Sequence, residues 1–219
     1  MAGVDGVPGG WVVARVTGRA VEWARPHTAA QVLEVTAGCV AVGVDIPLGL
    51  PTGRESRRCD VEAARRLGRA RAAVFATPPR PVLAAGTYEE ACRVAEEVIG
   101  RRISLQSFHI GAKILEWDDA GPLPDHVVEV HPELSFRALA PHVRFEGKKT
   151  ARGAGQRIAA LSGWVDPARA FADLPSGARL DDVLDALAAA WSAGRLADGV
   201  AEDVGTELDD RGRAVRIVV

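Results

Sequence analysis

The sequence predicts an α/β protein, a sheet flanked by helices and carrying an inserted helical layer. Three observations lead there. Gly3 to Val16 alternates β-rich runs with turn residues, Cys39 to Val44 is an unbroken apolar run that ends on a charge, and Leu180 to Leu196 is a strong helix former near the end.

Taken in order, Val7-Pro8-Gly9-Gly10 supplies a turn, and Trp11-Val12-Val13 restarts the β-rich run as a second strand. A third is expected over Ala20 to Arg25. Thr28 is placed to cap a helix through Val35 that Gly38 closes. The run Cys39-Val40-Ala41-Val42-Gly43-Val44 then reads as a central strand covered on both faces, because its apolarity is continuous rather than alternating. Residues Gly53 to Gly121 read as charged helices, interrupted at Thr77-Pro78-Pro79-Arg80-Pro81 where consecutive prolines forbid helix, and form an insertion over about residues 53–121. A short strand, Val127 to Val130, precedes a short helix from Glu133 to Leu139. Arg144 to Gly155, glycine-rich and basic, reads as a mobile loop before a helix around Gln156 to Leu161. After the late helix, Asp209-Asp210-Arg211-Gly212 turns the chain into a closing strand, Ala214 to Val219. No repeat and no linker divides two cores, so a single domain over residues 1–219 is expected.

Composition narrows the class. Apolar residues at 47% and charged residues at 26% belong to an ordinary globular chain. A net charge of -2 provides no global attraction to nucleic acid or anionic membrane, so a polyanion would need a local basic patch. Cys39, Cys59 and Cys92 are odd in number and irregularly spaced, which argues against a disulfide framework or a zinc site. The opening MAGVDGVPGG lacks a leader's basic and apolar regions, and no apolar run approaches about 18 residues. The expectation is a reducing cytoplasm and no membrane partner.

The acids carry the functional signal. Asp5 lies in the first strand, Asp45 after the buried strand, Glu129 and Glu133 around a later strand, and Asp182 and Asp185 in the late helix. Hard divalent cations need oxygen ligands, and a two-metal site needs several carboxylates converging from separate elements. Asp45 stands out because Val44-Asp45-Ile46-Pro47-Leu48 embeds one charge in apolar sequence, where it is costly unless paired or metal-bound. Asp5 sits in the turn-like Val4-Asp5-Gly6, and Gly6 permits close approach of a ligand. Glu129 or Glu133 can equally pair with an arginine, and His131 between them can be a packed histidine or an acid-base group. Acids at Asp181 and Asp182 suit a helix start whatever the function. The small residues Ala186, Ala188, Ala189 and Ala190 would let this helix lie close to the sheet and bring its acidic start near Asp5.

Several of these strings belong together. Gly3-Val4-Asp5-Gly6 with Gly10-Trp11, Asp45-Ile46-Pro47-Leu48-Gly49-Leu50-Pro51, Arg58-Cys59-Asp60 with Ala64-Arg65, Ser104-Leu105-Gln106, Glu129-Val130-His131-Pro132-Glu133, Lys148-Lys149 and Asp181-Asp182-Val183-Leu184-Asp185 occur in order over nearly the whole chain. In this the sequence resembles domain of unknown function family 429, an uncharacterised family of predicted nucleases. The resemblance implies a ribonuclease H-like fold, a mixed five-stranded sheet flanked by helices. It puts Asp5 at the first-strand carboxylate position, Asp45 at the acid after the fourth strand, and Asp182 or Asp185 at the last-helix acid. The segment Glu129 to Glu133 has no counterpart in that general catalytic set and is a candidate family-specific ligand or substrate contact.

Between Gly53 and Arg80 eight arginines face three acids. They form either a phosphate-binding surface, with Arg57 and Arg58 foremost, or a solvated helix face. Lys148-Lys149-Thr150-Ala151-Arg152-Gly153-Ala154-Gly155 is the better phosphate candidate, although it is not a Walker loop. Gly-x-Ser-x-Gly, His-Glu-x-x-His and Gly-x-Gly-x-x-Gly are all missing, which removes esterase elbows, zincins and dinucleotide binding. The leading expectation is therefore a metal-dependent nuclease in which Asp5, Asp45 and Asp182 or Asp185 hold Mg²⁺ or Mn²⁺ beside Glu129. In it, Arg57, Arg58, Lys148, Lys149, His131 and Glu133 meet a nucleic-acid substrate. A nucleotide-binding phosphotransferase like actin and the sugar kinases, or a non-catalytic binding module of the same fold, are the alternatives. Oligomeric state stays open, a homodimer included.

Overall fold

The computed structural model describes residues 1–219. It is a mixed α/β protein with seven strands, the six read along the chain and one more, against the five that the family resemblance implies. The chain resolves into two compact units. One is made of residues 1–45, 124–202 and 218–219, the other of residues 46–123 and 203–217. The larger piece of the second unit lies close to the insertion read at about 53–121.

The first unit opens with β1 (Ala2–Val7), β2 (Gly10–Thr17) and β3 (Ala20–Ala24), then α1 (Ala29–Thr36) and β4 (Val42–Val44). It continues with β5 (Val127–Val130), α6 (Pro132–Leu139), α7 (Ala151–Leu161), α8 (Pro167–Ala172) and α9 (Leu180–Ala197). Its strands run in the order β3-β2-β1-β4-β5. β1 is antiparallel to β2 and β2 to β3, whereas β1–β4 and β4–β5 are parallel. Val7 and Gly10 pair across the Pro8-Gly9 turn, where Gly9 adopts the positive φ that such a turn demands. Thr28 caps α1 as expected, its side chain accepting from the Gln31 N–H at 3.2 Å.

Two local readings need correction. The strand expected over Cys39 to Val44 is confined to Val42–Val44, with Val40 left 68% exposed, so the apolar run overstated the covered length. The loop expected up to Gly155 stops earlier. Thr150 accepts from the Gly153 N–H at 3.0 Å and starts α7 at Ala151, and Gly153 and Gly155 are helical. Gly153 is there for contact: a Cβ on it would meet the Gly147 carbonyl oxygen at 2.2 Å, so only glycine lets α7 lie on that segment.

The core of this unit forms between the sheet and α9. Val12, Ala14 and Val16 of β2 bury against Leu184, Leu187 and Ala188, with Phe136 of α6 and Leu161 of α7 closing the sides. A buried Ser135–Ser192 hydroxyl pair at 2.8 Å ties α6 to α9.

The second unit holds α2 (Arg58–Leu67), a 3₁₀ helix (Gly68–Ala73), α3 (Arg80–Leu83), α4 (Tyr88–Ile99), α5 (Leu105–Asp119), β6 (Asp203–Leu208) and β7 (Ala214–Val218, of which Val218 belongs to the first unit). The break expected over Thr77 to Pro81 is shorter than that: Pro78 and Pro79 stay outside helix, but Arg80 and Pro81 begin α3, whose first turn tolerates a proline because its N–H would have no helical partner there. β6 was not foreseen, because Asp203, Thr206 and Glu207 give it no apolar run; it packs on α2, and a Cβ on Gly205 would meet the Cys59 amide nitrogen at 2.5 Å. Asp118 and Asp209 organise this unit's charges. Arg80 donates to Asp118 through Nε at 2.7 Å and Nη2 at 3.0 Å, Arg213 also pairs with Asp118, and Arg213 Nε reaches Asp209 at 3.0 Å.

Candidate active site

The register of β1 and β4 builds the site. Gly3 pairs with Gly43 and Val4 with Val44, and the Asp45 N–H donates to the Val4 carbonyl at 2.8 Å, so Asp5 and Asp45 come side by side just beyond. Side chains two apart on a strand share a face. Asp5 therefore lies on the face of Gly3, and Asp45 on that of Gly43. That face belongs to α9: a Cβ on Gly3 would sit 2.0 Å from the Ala186 carbonyl oxygen, and one on Gly43 would sit 2.4 Å from that of Ala189. Two glycines on the sheet and Ala186, Ala189 and Ala190 on the helix thus bring backbone against backbone.

The same contact delivers the third acid. Asp185 stands four residues before Ala189 on one row of α9, so if Ala189 lies over Gly43 the preceding turn brings Asp185 towards Asp45. Asp5, Asp45 and Asp185 each offer a carboxylate oxygen, and the three oxygens all lie within 4.8 Å of one another. Asp185 is buried, while Asp5 and Asp45 keep part of their surface open.

Three carboxylates so close resist joint ionisation. Burial, then the charges of Asp45 and Asp185, hold the Asp5 carboxyl well above the ordinary carboxylate range. Burial and the Asp185 charge do the same for Asp45. Burial lifts Asp185 to about 6, against the opposing pull of Lys148. Lys148 is the counter-ion: it pairs with Asp185, and although burial works against its charge, Asp185, Asp45 and Asp5 together raise its pKa. One further donor is local, the Gly6 N–H, at 2.7 Å from Asp5 Oδ1.

The backbone two residues before Lys148 is held by a residue that the sequence reading passed over. Arg157 of α7, 1% exposed, donates to the Glu146 carbonyl at 2.9 Å and grips both oxygens of Glu133 at 2.7 and 2.9 Å. Its guanidinium also lies 5.2 Å from the ring centres of Phe136 and Phe145. A signal existed, since Arg157 interrupts the apolar neighbours Ala154, Ile158 and Leu161 at helical spacing. Glu133 is thereby an ion-pair partner, and its charge still reaches Asp45 and Asp185.

The remaining candidates fall elsewhere. Asp182 does not join the trio; its carboxylate accepts from the Arg179 N–H at 3.1 Å and serves the start of α9, with its pKa raised chiefly by burial. Glu129 is turned away. Val128 and Val130 on either side of it pack with Ala189, so strand alternation directs Glu129 to the opposite face of the sheet. His131 precedes α6, and its carbonyl accepts from the Leu134 N–H at 2.9 Å. Lys149 is exposed beside Lys148. In the second unit, Arg57 is no surface phosphate ligand. It is 2% exposed, donates through Nε to Asp60 at 3.1 Å and through Nη1 to the Gly49 carbonyl at 3.2 Å, and so fixes the Gly49 turn. Arg58 is exposed, with its amide bonded to Glu207 at 3.0 Å.

Among known proteins, a family model described as "Protein of unknown function (DUF429)" matches residues 3–209. No curated protein and no solved structure matches the chain. No helix is long and apolar enough to cross a membrane.

Proposed function

The chain belongs to the DUF429 family, a family of unknown function, and from its site we propose that it is a metal-dependent nuclease of ribonuclease H-like build. The observation that carries this reading is the convergence of Asp5, Asp45 and Asp185 within 4.8 Å on one face of the sheet. Such a cluster raises its own proton affinity, and a hard cation relieves that repulsion while matching the all-oxygen donor set. The strand order β3-β2-β1-β4-β5, with acids on β1, after β4 and on the last helix, supports the fold relationship.

In this reading Asp5, Asp45 and Asp185 would hold Mg²⁺ or Mn²⁺. When bound, such ions supply Lewis-acid charge at the phosphoryl group and a water acidic enough to attack it. The protein's own part is binding and orientation. Asp185 is buried on α9 and cannot swing, so the open edges of Asp5 and Asp45 set where the substrate approaches. Lys148, able to exchange its bond to Asp185 for a non-bridging phosphate oxygen, would bind the charge of the reacting group. The Arg157–Glu133 pair positions the Lys148 segment without touching substrate. The kinase-like alternative is less well supported, because the Gly6 N–H that would cradle a phosphate is already given to Asp5.

Incubation of the protein with end-labelled DNA, RNA and ATP in the presence of Mn²⁺ tests this reading. Strand cleavage that falls by about a hundredfold or more in Asp45→Asn and Asp185→Asn is expected. ATP hydrolysis without strand cleavage, or cleavage indifferent to both substitutions, would contradict it.

A further inference from the structure

Beside the acidic trio lies a cavity of about 330 Å³, lined in part by Lys148, Lys149, Ala151, Arg179, Leu180 and Asp181. Lys148 is already paired with Asp185, so Lys149 and Arg179 are the cations the cavity offers an anion, against Asp181. The first residues of α7 also line it, and the N-terminal end of that 11-residue helix, with no acid in its first turn, favours an anion there, whereas the start of α9 already carries Asp181 and Asp182. Its volume sits at the small end of the range for small-molecule pockets, about 300–1,000 Å³, enough for one nucleotide unit but not for a folded partner. Ala151 and Leu180 add apolar surface of the kind a sugar or base edge covers. Lys148 lines the cavity and also pairs with Asp185, so whatever fills the cavity lies next to the carboxylates.

We propose that this cavity is a nucleotide subsite, in which Lys149 and Arg179 hold the phosphate of the unit adjacent to the scissile bond. The proposal rests on the nuclease reading and makes it more specific. Recognition falls on a single nucleotide of a strand, and Arg179, which neither composition nor motif marked, becomes a binding residue. Lys149 and Arg179 are both exposed, and Arg179 meets the start of α9 through its backbone, its N–H donating to Asp182 at 3.1 Å and its carbonyl accepting from the Val183 N–H at 3.1 Å. Their side chains can therefore be removed without disturbing the core.

Titration with deoxyadenosine 5′-monophosphate, followed by calorimetry, tests the subsite on wild type and on the double variant Lys149→Ala/Arg179→Ala. Inorganic phosphate serves as a second probe, and Mn²⁺ is titrated separately. The expected result is nucleotide binding at least tenfold tighter than phosphate in wild type, weakened at least tenfold in the double variant, with thermal melting and Mn²⁺ affinity unchanged. Nucleotide affinity equal in both proteins, no nucleotide binding to wild type, or phosphate binding as tightly as nucleotide would each overturn it. If Mn²⁺ fails to bind while the nucleotide result holds, the subsite stands and the metal reading falls. If Mn²⁺ binds and the nucleotide result fails, the reverse is true.

Discussion

Among single residues, the division of labour within α9 is the sharpest statement. Asp182 and Asp185 are three apart and chemically identical, yet one accepts from the Arg179 N–H and the other enters the trio. Asp182→Asn keeps an acceptor at the helix start and is expected to change stability by less than about 1 kcal/mol in urea unfolding. Arg157 is different in kind. It is buried, bidentate on Glu133 and close to two aromatic rings, so Arg157→Met leaves Glu133 without its counter-ion beside Asp45 and Asp185. A loss of about 3 kcal/mol in the same measurement is expected. A loss under about 1 kcal/mol would show that the pair does not anchor the site.

At the scale of elements, the site exists because α9 lies on β1 and β4 without intervening side chains. Adding one methyl at Gly43 places carbon 2.4 Å from the Ala189 carbonyl oxygen and 2.8 Å from Val130. Backbone cannot yield as a flexible side chain can, so Gly43→Ala is expected to destabilise by several kcal/mol, on the order of the largest single-residue effects. It should also weaken Mn²⁺ binding in whatever folded fraction remains. This contact also explains what the sequence disclosed. The alanine-rich face of α9 and the charge at the end of an apolar run pointed to close approach and to Asp45, because composition and periodicity are local properties. The same signals could not choose between Asp182 and Asp185, since both lie near the helix start and only the docked position of α9 separates them. Glu129 was misplaced for a related reason: its strand is buried on both faces, so no hydrophobic alternation marked which face it takes. Arg57 read as a phosphate ligand because its partner, Asp60, lies three residues on, where a helical ion pair and a solvated face look alike in sequence. β6 left no signal, because its pairing with β7 and its packing on α2 are contacts that a run of polar residues does not announce.

At the scale of the molecule, the two units respond oppositely to pH. Asp5, Asp45 and Asp185 have folded-state pKa values raised above the ordinary range, about 3.9 for an unfolded aspartate. Their contribution is most favourable when they are protonated, and is lost as pH rises through about 6 at Asp185. Asp118 and Asp209 are lowered: burial opposes this, but arginine partners prevail, so their contribution is present above about 4 and lost as pH falls below it. The metal-free protein should therefore lose stability from the first unit between about pH 4 and pH 7, and Mn²⁺ should restore it at pH 7 but not at pH 4, where protons compete. Melting curves at both pH values, with and without Mn²⁺, measure this directly. All of this depends on Asp5, Asp45 and Asp185 together binding a divalent cation. Calorimetric titration of Mn²⁺ at pH 7 into wild type, Asp45→Asn and Asp182→Asn decides it. Wild type is expected to bind, Asp45→Asn at least about tenfold more weakly and Asp182→Asn at near wild-type strength; no binding to wild type, or equal binding to wild type and Asp45→Asn, would overturn this.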